Sequence, residues 1–303
     1  MAPADGRDQA KRERGGDMWR VVLATDGSEN AAAAGAILQA LPLPPGSSIR
    51  VLCVADPFIE GLLEKVRPGE AAWSQVVVQR AAQEQQRPDV EISTEIRPGD
   101  AAGGILEAAA DFEADLIVVG SKGHTGLEGI LLGSVARNVA THARCAVLVA
   151  RPLRNGLQQV VMATDGSENA EKAAGLAARF PLPARSRVTT ASVARSEPPV
   201  LPAVALAADM FAETLEELRR ESEAEARQYA EAAAALFRDA GREAEALVLA
   251  GSPAAQLLSL VEEKQADLII AGARGASLIE RLLVGSVADR LLANAPCSVL
   301  VVH

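Results

Sequence analysis

Short runs of apolar, largely β-branched residues alternate along the chain with alanine-rich stretches of helical character. Val21 to Ala24, Ile49 to Val54, Val90 to Ile96, Leu116 to Val119 and Val147 to Val149 are strand-sized. The intervals between them predict helices, the first starting at about Glu29 and the last following Ser134. Regular alternation of strand and helix is the pattern of a parallel sheet covered on both faces. Ligands of such sheets collect beyond the carboxyl ends of the strands, near the switch in strand order. No apolar run approaches the roughly 18 residues that a membrane-spanning helix needs.

The pattern then repeats. Ala24 to Ala31 and Ala163 to Ala170 both read ATDGSENA, 139 residues apart. Ala114 to Gly120 (ADLIVVG) answers to Ala266 to Gly272 (ADLIIAG), and Leu132 to Ala136 (LGSVA) to Val284 to Ala288 (VGSVA), 152 residues apart. The 13 extra residues imply an insertion in the second copy, between its first strand and its glycine loop, with Arg195 to Asp209 as the candidate stretch. A length of 303 residues agrees with two domains at roughly 150 residues each. The expected boundaries are a loose tail over residues 1–18, a first domain over 19–150, a linker over 151–157 and a second domain over 158–303. Ser28 and Ser167 follow Asp-Gly turns and precede alanine-rich helices, which predicts them as N-caps.

Met210 to Asp239 reads as one amphipathic helix, with Phe211, Leu215, Leu218, Ala226, Tyr229, Ala233 and Leu236 on its apolar face. Asp209 to Asp239 holds nine acids and four arginines, half of the chain's net charge of −10, and a solvated outer face is expected there. That net charge argues against DNA, RNA or anionic lipid as a partner. Three cysteines without a CxxC pair form no disulfide framework and no zinc site, and they suit a reducing cytoplasm. Cys145 and Cys297 open the last strand of each copy and are expected to be small buried hydrophobes, and Cys53 falls on the second strand.

The chemistry concentrates in a glycine loop. Gly120, Gly123 and Gly133-Ser134 keep the same spacing as Gly272, Gly275 and Gly285-Ser286, although the intervening letters differ. Glycines after a buried strand let main-chain N–H groups approach a ligand without an obstructing Cβ. A helix over Val135 to Thr141 would aim its first free N–H groups and positive dipole end at the strand ends. An anion fits there, and a phosphate chain is the natural one, held by the N–H groups of Val135 and Ala136 and the Ser134 hydroxyl, or by Val287, Ala288 and Ser286. This grip needs no net positive charge. There is no GxxxxGK[ST] P-loop and no dinucleotide fingerprint. Lys122 and Arg274 occupy matching loop positions. His124 and His142 have no histidine counterparts, so neither is a shared catalytic feature.

With both copies reading G-x2-G-x9-G-S, the chain resembles a tandem universal stress protein over Arg20 to Arg151 and Gln159 to His303. The resemblance implies an α/β, doubly wound fold of the adenine nucleotide alpha hydrolase-like type, with a five-stranded parallel sheet in each domain and the two domains packed as a pseudo-dimer through their last strands. It implies ATP, accompanied by a divalent ion such as Mg²⁺, as the ligand. Ala24, Thr25, Asp26 and Val54 would line adenine and ribose, as would Ala163, Thr164, Asp165 and Val193. Gly120, Ser121, Lys122, Gly123, Gly133, Ser134 and Val135 would hold ribose and phosphates, with Gly272, Ala273, Arg274, Gly275, Gly285, Ser286 and Val287 as their equivalents. Two tandem chains joining as a homodimer, and a regulatory protein partner, are further expectations of the same kind. The loop departs from the pattern where copy one has Gly126 and copy two Leu278, a residue ill suited to positive φ, so copy one is expected to bind ATP more tightly.

No His, Cys or Lys recurs near the loop in both copies, and Asp26 with Asp165 is the only repeated acid at the expected site. A nucleotide-binding stress-response regulator is therefore the leading reading. A slow Mg-dependent ATPase using Asp26 or Asp165, and a nucleotide-free adaptor, are its rivals.

Overall fold

Each β-branched run becomes a strand, within about two residues of its predicted bounds, and all but the Val90 to Ile96 strand are largely buried, in a computed structural model that describes residues 18–58, 61, 65, 72–123, 132–153, 156–194, 208–273 and 284–303. The chain divides into two units, and the main boundary in sequence falls between Gly156 and Leu157.

The first unit contains β1 (Arg20–Ala24), β2 (Ser48–Ala55), β3 (Glu91–Pro98), β4 (Leu116–Gly120) and β5 (Ala146–Ala150). Its helices are α1 (Glu29–Ala40), α2 (Trp73–Glu84), α3 (Ala101–Asp111) and α4 (Ser134–His142). The strand order is β3-β2-β1-β4-β5 and every pairing is parallel. β4 and β5 are buried along their whole length, as expected where helices cover both faces. α1 packs against β4 and β5 and α2 against β2 and β3, while α3 and α4 pack together on the other face.

The second unit repeats this order as β8 (Ala244–Ala250), β7 (Arg187–Ala194), β6 (Gln159–Ala163), β9 (Leu268–Gly272) and β10 (Ser298–Val302), again all parallel. Its helices are α5 (Glu168–Arg179), α6 (Ala208–Asp239), α7 (Pro253–Glu263) and α8 (Ser286–Asn294). Partners across β2 and β3 such as Ile49 and Ile92 stand 43 residues apart in sequence, and the matching Val188 and Ala244 stand 56 apart. All 13 extra residues of the second copy thus belong to the crossover containing α6. The candidate stretch 195–209 lies outside the described residues except for its last two, which begin α6.

α6 corrects one expectation. Its buried stripe is Ala226, Ala230, Ala233, Ala234 and Phe237, whereas Leu218 and Leu236 are 45% and 38% exposed. Small alanines let the helix lie close on β7 and β8, so alanine rather than leucine sets which face turns inward. No residue from Glu213 to Glu225 is buried, which leaves that acidic half to solvent; the Phe211 side chain lies outside the described set. Cys145 departs from expectation too, being half-buried just before β5, whereas Cys297 and Cys53 are buried.

Local chemistry fixes the helix ends near the carboxyl side of the sheet. Ser28 Oγ accepts from the Ala31 N–H at 3.2 Å and Ser167 Oγ from the Ala170 N–H at 3.2 Å, so both predicted N-caps are present. At the opposite end of α1, the Arg87 guanidinium donates to Leu41 O (2.8 Å) and Leu38 O (3.0 Å), satisfying carbonyls that a helix end leaves open. Burial pushes the Arg87 pKa down, yet the group stays charged. In the second unit, Arg242 reaches Phe180 O at 3.3 Å, just beyond α5.

The first turn of α1 rests directly on the end of β4. A Cβ on Gly120 would lie 2.6 Å from the carbonyl atoms of Asn30 and 2.9 Å from the Ala31 nitrogen, all main-chain atoms that cannot swing aside. Gly120→Ala is therefore expected to cost about 1–3 kcal/mol, measured as a lower urea midpoint. Gly175→Ala is its control: Gly175 lies inside α5 with nothing within 4 Å of a new Cβ, so a gain of about 1 kcal/mol at most is expected. Arg87→Leu should lower stability by about 1–3 kcal/mol, with no change in sheet content by circular dichroism.

Candidate functional site

β1 and β4 are neighbours in the sheet, yet the chain leaves them for opposite faces, towards α1 and towards α4. Their carboxyl ends therefore open a crevice at the point where strand order reverses. β6 and β9 do the same in the second unit.

One wall is the repeated ATDGS block. The Thr25 N–H donates to Leu52 O at 2.8 Å, and Thr164 N–H to Ala191 O at 3.0 Å, so β2 and β7 run on past the end of their neighbours. Val54 and Val193 stand on that overhang, half-buried. The Val54 side chain turns towards α3, where a Cβ on Gly104 would come within 2.9 Å of it. Ala24 and Ala163 are buried, as are Thr25 and Thr164. Asp26 Oδ1 accepts from the Ser28 N–H at 3.0 Å and Asp165 Oδ1 from the Ser167 N–H at 3.1 Å, each folding the turn through its own backbone. In the second copy the Ser167 hydroxyl also donates to Asp165 Oδ1, at 2.6 Å. The turns pass through Gly27 and Gly166 at φ +73° and +70°, a region that favours glycine.

The other wall is the glycine loop. Ser121 is buried: its N–H donates to Ala150 O at 3.0 Å and its hydroxyl to Asn30 Oδ1 at 3.3 Å. Lys122 is half-buried and Gly123 exposed. A Cβ on Gly123 would lie 2.8 Å from Asp26 Oδ2, so the two walls meet there at the Asp26 carboxylate. Residues 124–131, with His124 and Gly126, lie outside the described set. The chain returns at Gly133, whose N–H donates to Ser121 O at 2.7 Å. In the second copy the Ala273 N–H bonds Val302 O at 2.7 Å and the Gly285 N–H bonds Ala273 O at 2.6 Å. Gly272 ends β9, half-buried; Arg274, Gly275 and Leu278 lie outside the described residues.

Gly133 and Gly285 are themselves the N-caps, which places Ser134 and Ser286 as the first helical residues, one position earlier than the sequence suggested. A glycine cap brings no side chain, so the N–H groups of Ser134, Val135 and Ala136, and of Ser286, Val287 and Ala288, face the crevice end without a side-chain cap. The starts of α1, α3 and α5 are instead closed by Ser28, Asp100 and Ser167. Each cradle thus combines main-chain donors and the positive end of a helix, and in the first a Cβ on Gly133 would come into contact with Lys122 Cα and Ser121 O at 3.4 Å. These are features of an anion site. Among the described residues, no group of three or more His, Cys, Asp or Glu side chains is arranged to hold a metal ion.

Three features escaped the sequence reading. Asn30 ties α1 to Ser121. Arg137 sits one turn into α4, where α8 has Asp289, and each N–H bonds its cap carbonyl, Gly133 O or Gly285 O, at 3.0 Å. Aromatic rings lie against both Asp-Gly turns: Trp73 and Val77 of α2 against Gly27, and Tyr229 of α6 against Gly166. The Asp-Gly pairs were visible in the repeated block, but which helix residue covers them depends on tertiary packing.

The sequence matches the universal stress protein family twice, over residues 18–151 and 156–303. It is 35% identical over 144 residues to the universal stress protein MJ0531 of Methanocaldococcus jannaschii, covering 44% of this chain and 81% of that one. A universal stress protein of Thermus aquaticus is 33% identical over 146 residues, covering 43% and 97%. The crystal structure of a universal stress protein from Archaeoglobus fulgidus superposes with a TM-score of 0.64 over 93% of this chain and 97% of that one, at 21% identity, a likeness of fold. Both halves of the chain, with their shared strand order and glycine loops, belong to the universal stress protein family.

Proposed function

We propose that the chain is a stress-response regulator that binds ATP at the crevice of each copy, and that nucleotide occupancy rather than turnover is its output. The single observation that carries this reading is the glycine-capped helix start, tied by its cap N–H to the strand-end loop and presented twice in equivalent places. Ser134, Val135 and Ala136, with Ser286, Val287 and Ala288, would receive the phosphates through main-chain N–H groups. Ala24, Thr25, Asp26 and Val54, and Ala163, Thr164, Asp165 and Val193, would border the nucleoside on the opposite wall. Gly120, Ser121, Lys122 and Gly123, with Gly272, Ala273, Arg274 and Gly275, would form the loop between. The donor set fits a triphosphate, and Mg²⁺ would travel with it to neutralise charge, with Asp26 and Asp165 as the nearest repeated acids. Neither copy repeats a base or nucleophile beside this cradle, which favours binding over catalysis.

The copies are unequal. Arg137 and Asp289 are each four residues beyond the cap glycine and so stand above it on the same helix face. A cation near one cradle and an anion near the other favour a polyanion in copy one. The loop difference between Gly126 and Leu278 points the same way.

Isothermal titration with Mg·ATP should give two sites, the tighter one in copy one. Gly123→Val should remove the tighter site and Gly275→Val the weaker. Equal residual affinities in the two variants would contradict the inequality. Extraction of the purified protein should release an adenine nucleotide; no extracted nucleotide and no thermal shift with ATP would favour the adaptor reading. ADP release abolished by Asp26→Asn with Asp165→Asn would make the protein an ATPase.

A further inference from the structure

Aromatic side chains are scarce in this protein, at 3% of residues, with two tryptophans and one tyrosine. Two of those three large rings lie against the same turn of the repeated unit. Trp73 opens α2, and a Cβ built on Gly27 would come within 3.6 Å of its Cζ2 and 2.9 Å of Val77 Cγ2. Tyr229 lies within α6, and a Cβ on Gly166 would fall 2.3–2.5 Å from three of its ring atoms, so this ring lies flat on the turn. The two contacts differ in kind. Tyr229 is half-buried and covers its glycine, whereas Trp73 touches Gly27 from the side and stays 38% exposed. Trp73 also stands at the correct end of the sheet. Helices of a parallel βαβ unit run opposite to the strands, so the start of α2 lies at the strands' carboxyl ends, beside Asp26 and the overhang of β2.

We infer that Trp73 is a nucleobase-binding residue of the first copy, its 38% exposed indole forming the apolar side of the crevice beside Gly27 and stacking on the base of the bound nucleotide. This inference rests on the nucleotide-site reading above and assigns to α2 a role that the glycine loop cannot fill. The loop's N–H groups recognise phosphate, while an aromatic face recognises a planar ring and is indifferent to the phosphate chain. In the second copy Glu225 stands where Trp73 does, and Tyr229, the counterpart of Val77, lies on its own turn, so the two sites differ in how they hold the base as well as in charge. The other tryptophan, Trp19, is 2% exposed and precedes β1 at the amino end of the sheet, with its N–H on Ser47 Oγ at 3.0 Å. Tryptophan emission should therefore respond to base binding in copy one alone.

The test compares Mg·ATP with magnesium tripolyphosphate, which shares the anion and lacks the base. In wild type, ATP should change Trp73 emission and tripolyphosphate should leave it nearly unaltered. In chains whose second cradle is closed by Gly275→Val, Trp73→Ala should weaken ATP binding about tenfold or more, leave tripolyphosphate binding within twofold, and be largely rescued in Trp73→Phe. ATP affinity unchanged in Trp73→Ala, or ATP and tripolyphosphate weakened alike, would overturn the inference while leaving the phosphate cradle intact. If wild type binds neither ligand, the nucleotide-site reading fails and this inference falls with it. Trp73→Phe keeps an aromatic ring in the packing, so ATP affinity by calorimetry remains readable if the alanine variant unfolds.

Discussion

One main-chain hydrogen bond, made twice, holds the candidate site together: Gly133 N–H to Ser121 O at 2.7 Å, and Gly285 N–H to Ala273 O at 2.6 Å. It fastens the chain, where it enters the next helix, to the residue just past β4 or β9, and so fixes where that helix begins. Because the donor is the cap residue, the bond uses the one N–H that would otherwise compete for a ligand and leaves the following three aimed at the crevice. Because the cap is glycine, no side chain intervenes. On the opposite wall Gly120 lets the first turn of α1 settle onto the strand end, and Asp26 closes the remaining gap towards Gly123. Recognition of an anion by backbone dipoles would reconcile a protein of net charge −10 with the polyanionic ligand proposed for it.

Much of the fold could be read directly from the sequence because its physical signals agree with one another. Runs such as Leu116 to Gly120 are too short and too apolar for anything but a buried strand, and the identical ATDGSENA blocks fix the start of each domain. Ser28 and Ser167 were recognisable as caps because the side chain that bonds the helix is local in sequence. Signals that depend on packing were harder. Leu218 and Leu236 look like core residues by hydropathy, yet α6 is seated by its alanines, a choice made by the closeness of β7 and β8. The cap of α4 was misplaced by one residue because Ser134 is a better capper than glycine in isolation, while the bond from Gly133 to Ser121 is tertiary and leaves no mark in the local letters.

The candidate residues divide along the same line. Asp26, Gly120, Ser121 and Gly123 come together because the loop and the turn are both attached to adjacent strands. The roles of Asn30, Trp73 and Tyr229 were hidden, because α2 and α6 differ in length and sequence between copies and reach the turns from different positions along the helix. Duplication therefore preserved the main-chain cradle and allowed the side chains around it to diverge. Arg137 against Asp289 and Val77 against Tyr229 are two independent places where the copies have separated.

The most direct measurement follows the backbone amides of ¹⁵N-labelled protein during titration with Mg·ATP. If main-chain donors at the helix starts seat the triphosphate, the largest shifts should fall on Ser134, Val135 and Ala136 and on Ser286, Val287 and Ala288, with copy one saturating first. Unshifted amides at both helix starts under saturating nucleotide, or shifts confined to other surfaces, would contradict it.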